Sequence, residues 1–406
     1  MLPLFAWRNL WRRPQRTLLS LLSIALVVAL LVCMLSFQRG VYQVMKENNL
    51  RVFDGYAQFQ APGYADDPTI DRVIDHPAGI VRAALAIKGI GAAAARVNGF
   101  GILANGERSY GALIAGVDPG SESQLSTIAA TVRAGRYLND TDRDAAVLGE
   151  LLARNLQVSV GGTVSVLGAA RDGSVGADVL QVVGIFRSGI PQLDRSILEM
   201  PLARAQDAFD MTDRANTIAL GGPTLSGVDA ALPRLAALGA HHGVALLDWK
   251  ALEPAMRDAI ALKYAMSLLL YLTLVAVVAF IILNALLMSV LERTHEFGVL
   301  LAIGMRARAI GLMVWLELLT LALTGCAAGF AAGAGATWWL EQRGISFGSL
   351  SALLAQYGLP PRLYPALDPV SALTGPVAIL VAIVLGGIVP YARVTRLTAL
   401  AAMRSE

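Results

Sequence analysis

No Gly-Lys dipeptide occurs anywhere in the 406 residues, so the chain has no phosphate loop of the form G-x-x-x-x-G-K-[ST] and cannot be its own nucleotide-driven motor. Charge is also scarce: 16% of residues are charged against 55% hydrophobic. With a mean hydropathy of +0.57, the chain is too apolar for an ordinary soluble domain and too long for a simple anchor. The net charge of +3 gives no basic surface able to track phosphates, which excludes nucleic acid as a partner. There are two cysteines, Cys33 and Cys326, each inside an apolar run where it reads as a small packed hydrophobe. Of the four histidines, His76 and His295 stand alone, and the His241–His242 pair has no Cys or carboxylate at ligand spacing. The sequence therefore predicts no catalytic residue and no metal.

What it has is long uncharged runs. Thr17–Phe37 is 21 residues without a charge, enough to cross a hydrocarbon core of roughly 30 Å. A second run covers 264–291, a third 310–339 is interrupted only by Glu317, and a fourth covers 369–392. Arginine sets the direction. Arg8, Arg12, Arg13 and Arg16 precede the first run, Arg293, Arg306 and Arg308 separate the second from the third, and Arg393, Arg396 and Arg404 follow the fourth. These places, and both termini, are expected to be cytoplasmic. Residues 1–16 mix Phe5, Trp7, Leu10 and Trp11 with arginines, as a short helix in the membrane interface would. The rival reading, a cleaved signal peptide, requires a shorter apolar stretch and a clear small-x-small cleavage site.

The expected order is an interfacial helix (1–16), a first span (17–37), an extracytoplasmic domain (38–263), a second span (264–291) and a cytoplasmic coupling segment (292–309). A third span (310–339), a short outer loop (340–368), a fourth span (369–392) and a cytoplasmic tail (393–406) complete it. The outer domain has about 225 residues, enough for a real core. Between Ala145 and Phe186 it reads as strand, helix, then strands, a mixed α/β module whose one polar loop, GAARDGSVGAD, is short. Short helices are expected at 201–209 and over GVDAALPRLAAL. The stretch of about 248–263 has Asp248 as an N-cap and amphipathic spacing leading straight into the second span, like a stalk. Such a continuous helix either transmits displacement or merely tethers.

Within 292–309 a charged turn (Glu292, Arg293, His295, Glu296) leads into apolar residues from Phe297 onward, ending at Gly304. A short helix onto which a soluble partner docks has this composition, charge for orientation and apolar groups for anchoring; the alternative is an ordinary loop. In the third span, Gly325, Gly329 and Gly333 recur every four residues, a stripe that lets a helix approach closely. Glu317 must face protein or water rather than lipid, either as a proton or substrate site or as a hydrogen-bonded structural residue at a helix or dimer interface.

These residues resemble FtsX-like, MacB-type ABC permeases (type VII). The resemblance rests on Glu292–Arg293, Glu296 to Gly298, Ala302 to Gly304, Glu317 and the three spaced glycines, and extends to WRNLWRRPQRT, VLGELLARNLQVSVGGTVSV and RVTRLTALAAMR. A narrower likeness, to lipoprotein-releasing permeases, rests on GVDPGSESQLS, VVGIFRSGIPQLDRSILEMPLARAQDAF and DWKALEPAMRDAIALK. The resemblance implies four transmembrane helices with a large MacB-like periplasmic α/β domain, in a bacterial inner membrane. It implies a dimer with an identical or paralogous permease, and ABC ATPase subunits that bind ATP and Mg, this chain binding no cofactor itself. Glu292, Arg293, His295, Glu296, Phe297, Gly298, Ala302, Gly304 and Met305 would meet the ATPase, and Gly325, Gly329, Gly333 and Glu317 would pack spans. Membrane lipid, and a periplasmic carrier or adaptor, are the further partners implied. The expected role is mechanotransmission serving lipoprotein release, with a macrolide or peptide efflux permease, or an FtsX-like regulator of a cell-wall hydrolase, as alternatives.

Overall fold

The computed structural model of the chain describes residues 14–348, 360 and 362–396. Most of the expected interfacial helix, with Arg8, Arg12 and Arg13, lies outside the described residues, as do part of the 340–368 loop and the tail beyond Arg396, including Arg404. The chain divides into a helical unit, which holds the chain up to Tyr42, Ile260–Phe347 and the part from Arg362, and a β-rich unit centred on Gln43–Ala259.

Four helices among the described residues are long and apolar enough to cross a membrane: Thr17–Val52, Pro254–Glu292, Ala307–Arg343 and Pro369–Thr395. The first two continue well past the uncharged runs, to Val52 and back to Pro254. Pro254 lacks an N–H and suits a first helical turn, so the stalk breaks between a short helix Trp249–Leu252 and the long one instead of running unbroken from Asp248. The fourth starts on a capping box: Asp368 accepts from the backbone N–H of Val370 and Ser371, and Ser371 Oγ accepts from the backbone N–H of Asp368. The four pack around Ile24, Val28, Leu31, Val278, Ile282, Leu321, Ala322 and Ile379. Leu19, Leu22, Leu26, Leu269 and Phe280 point outward, the arrangement lipid stabilises.

The β-rich unit is built on ten strands: β1 (Ala57–Gln60), β2 (Ala92–Asn105), β3 (Arg108–Val117), β4 (Val132–Gly135), β5 (Ala145–Gly149), β6 (Thr163–Ala169), β7 (Val175–Phe186), β8 (Ile197–Pro201), β9 (Thr217–Gly221) and β10 (Ala245–Asp248). Six of them close a ring, β2-β3-β8-β5-β7-β6 and back to β2, with the β3/β8 and β5/β7 pairs parallel and the rest antiparallel. Every one of the six sends alternate side chains into one core, among them Leu103, Ile114, Leu148, Val166, Leu180 and Met200. That is the signature of a small filled barrel. Gly101 makes the β2/β6 seam feasible, since a Cβ there would stand 2.5 Å from the Leu167 carbonyl.

The long strand β2 belongs to two surfaces, because its first residues pair with β9, followed by β1 and β10, to form an arm off the barrel. The outer wall of β3, β5 and β8 is covered by a second core that includes Phe53, Ile128 and Leu138. The outer wall of β2, β6 and β7 exposes Phe100, Ile102, Leu167, Val175 and Val179. The helix Leu202–Ala208 begins one residue after Pro201, which ends β8, and the 225–242 helix places His241 and His242 at its exposed end. Among the described residues no group of three or more His, Cys, Asp or Glu is arranged to hold a metal.

Candidate functional site

The segment joining the second and third long helices folds as a helix, Thr294–Ala302, closed by Gly304 at φ +98°, a conformation favouring glycine. Phe297 is 1% exposed and packs with Val290, Ile310, Val314 and Val394. Gly298 is also buried. These two residues therefore hold the segment to the helical unit and offer nothing to an outside partner. Glu292, His295, Glu296, Ala302, Gly304 and Met305 lie at the surface, and Ile303, 79% exposed, projects beside them. The apolar anchor available to a partner is Ile303 with Val299 and Met305 rather than Phe297.

Arg293, at the junction, makes an ion pair with Glu317 at 3.1 Å, reaches Glu296 at 3.4 Å and lies over the Phe297 ring at 5.3 Å. Glu317 thus has a structural partner. The three glycines of the third long helix face the first within the same chain. Added Cβ atoms would meet Ile24 at 2.8 Å from Gly325, the Ala25 carbonyl at 2.5 Å from Gly329, and Ala29 Cα at 2.8 Å from Gly333. Cys33 and Cys326 are free thiols within this packing.

Farther along, Gln38 of the first helix donates to Ser267 Oγ at 2.7 Å and accepts from Tyr271 OH at 2.6 Å on the second. Nearby, Tyr42 and Tyr264 meet edge to face at 5.0 Å.

Inside the β-rich unit the end of the first helix is held from several sides. Its last carbonyls, on Leu50, Arg51 and Val52, accept from Gly55 N, Thr127 N and Ser126 Oγ, which satisfies groups a helix end leaves open. Phe53 lies against the guanidinium of Arg96, 4.3 Å from ring centre to Cζ. Arg96 is fully buried and bidentate to Glu122, at 2.9 and 2.6 Å. Next to this pair, Glu199 is fully buried and accepts from Tyr137 OH at 2.8 Å; burial, then the Glu122 charge, pushes its carboxyl up to about 8. Burial also pushes the Tyr137 phenol up.

Asp54, just past the first helix, hydrogen-bonds Glu253, just before Pro254. Burial, then the neighbouring Asp54, pushes Glu253 up to about 7, and burial also raises Asp54 against the pull of Arg96. Two carboxyl groups whose pKa values are both raised thus lie side by side at the two helix ends. Asn49 to Met256 (3.7 Å) and Lys46 over Trp249 (5.1 Å) reinforce the pairing. Sequence reasoning missed this network because its interacting partners are 26 to 207 residues apart; a buried-type Arg in an alanine-rich strand was the one local signal.

The helical unit thus holds four helices of membrane-crossing length and composition packed through glycine, and the β-rich unit a small filled barrel. Residues 17–234 match the MacB-like periplasmic core domain and residues 268–399 the FtsX-like permease C-terminal domain, so the chain belongs to this family of ABC transporter permeases. It is 25% identical over 296 residues, 71% of this chain and 69% of the relative, to the lipoprotein-releasing system transmembrane protein LolC of Neisseria meningitidis serogroup B. Among solved structures, the extracellular domain of the noncanonic ABC-type transporter YknZ from Gram-positive bacteria matches at 14% identity and a TM-score of 0.36, over 48% of this chain and 98% of that one. The periplasmic region of MacB from Actinobacillus actinomycetemcomitans matches at 17% and 0.36, over 52% and 96%.

Proposed function

We propose that this chain sits in a bacterial inner membrane, termini inward, as the permease half of a transporter whose ATPase is a separate chain. In this reading the ATPase grips the surface formed by Glu296, Val299, Ile303 and Met305, and its closure is passed along the long helices to the outer domain as movement. The observation that carries it is the pairing of the two helix ends, with Asp54 beside Glu253 and Phe53 held against the Arg96 guanidinium of β2. Helix ends fastened at several points move with the structure that holds them, as a transmitting rod requires.

The cargo is a lipid-bearing substrate released at the outer face, a lipoprotein first, in keeping with the name of the LolC relative. A second permease, identical or paralogous, completes the assembly, as two-fold pairing of such subunits requires. Macrolide or peptide efflux and control of a cell-wall hydrolase are the competing roles, and they differ in the outer partner.

The test is capture of the tagged full chain from membranes with assay of the bound ATP hydrolysis. Wild type should retain an ATPase, and Ile303→Asp should lose it while still inserting. Retention by Ile303→Asp, or none on wild type, sinks the reading.

A further inference from the structure

Arg293 occupies the turn shared by two helices: its N–H donates to the Val290 carbonyl of the helix before it, and its carbonyl accepts from Phe297 N of the helix after it. Its side chain is 18% exposed, and that of Glu317 is 17%. Glu317 lies ten residues into the third long helix, roughly 15 Å from that helix's start. A carboxylate at such a depth is costly unless a fixed cation meets it.

The Arg293 guanidinium does so while lying over Phe297, the residue that seats the Thr294–Ala302 helix against Ile310 and Val314. Glu317 also lines a cavity of about 60 Å³ with Thr17, Ser20 and Ser289. A water needs only about 10–15 Å³ of such space, so the cavity can hydrate the carboxylate when the guanidinium moves away.

We infer that Arg293 and Glu317 are a positioning pair: the ion pair fixes the Thr294–Ala302 helix on the third long helix, so that the two move as one body, and the hydrated cavity lets it open without stranding a charge. This deepens the proposed coupling role and rests on it for its meaning, although the pair itself is testable without any ATPase.

The experiment is amide hydrogen exchange on the full chain in lipid nanodiscs. Glu317→Gln and Arg293→Gln should each speed exchange across 294–302 by about tenfold, the effect of losing one charge-assisted contact, with β5, β7 and β8 unchanged. The exchanged pair Arg293→Glu with Glu317→Arg should return the rate to within about threefold of wild type, which a general loss of packing would not do. Arg293→Lys, which keeps the charge but not the planar fork, should fall between and serves if a neutral variant fails to insert. Single variants within about twofold of wild type, or a swapped pair as fast as the singles, overturn the inference. Retention of the ATPase by Ile303→Asp with 294–302 still protected would sink the coupling reading and leave the pair intact, so the two readings fail separately.

Discussion

Arg96 serves two carboxyl groups that respond differently. Glu122 takes both prongs of the guanidinium, and Glu199, beside that charge and cut off from water, is left on the neutral side at pH 7. Arg96 and Glu199 should therefore respond unequally to neutral replacement. Arg96→Met strands the Glu122 carboxylate and removes the cation beneath Phe53, for an expected loss of about 3–5 kcal/mol. Glu199→Gln copies the protonated form in shape and should cost under about 1 kcal/mol. Denaturant unfolding of the full chain, read from exchange in β5 and β8, separates the two, and equal losses would contradict the assignment.

Glu253 adds a pH dependence whose sign follows from its raised carboxyl. The folded chain holds a proton there up to about 7, whereas the unfolded chain releases it near 4.5. The contribution is full below 4.5 and is lost as pH rises through about 7. Glu199 acts in the same direction, up to about 8. Protection factors of amides 255–259, corrected for intrinsic exchange, should fall between pH 5 and pH 8, and Glu253→Gln should flatten that fall.

At the scale of elements, the first and third long helices touch through glycine, and the tolerance of each position follows from what a side chain would strike. Gly329→Leu drives atoms into the Ala25 carbonyl and should lower the thermal midpoint in lipid, at a cost of about 1–3 kcal/mol or more. Gly335 has nothing within 4 Å, and Gly335→Ala should leave the midpoint unchanged or slightly raised. A stripe read only as small-xxx-small does not make this distinction; the facing helix does.

The four helices were legible because uncharged length is a local property, as were the 294–302 helix and its glycine stop. Barrel closure was not: it depends on the parallel β3/β8 and β5/β7 pairs and on β6 returning to β2, pairings that leave no mark on the strands themselves. Phe297 was misread as an outward anchor because periodicity tells which residues share a face, not which way the face looks. The buried Glu199 and half-buried Glu253 were invisible for the same reason, since both resemble surface acids until their neighbours are known.

For the whole molecule, the decisive property is that the helix Pro254–Glu292, which like the first belongs to both units, ends at Arg293 and the Thr294–Ala302 helix. Its 39 residues span roughly 58 Å, and such a helix carries displacement only while its ladder is unbroken. Leu262 is 61% exposed and lies in the interior of this helix, so Leu262→Pro removes a backbone bond and kinks the rod without opening a cavity. A transmitting rod then loses transport while the ATPase still binds at Ile303 and hydrolyses ATP, because the cytoplasmic surface is unaltered. A tether tolerates the kink and keeps both. Measuring substrate release and ATP turnover on the same reconstituted Leu262→Pro complex decides between them, with turnover retained and release reduced at least about tenfold as the expected outcome for a rod whose kink costs about 3 kcal/mol.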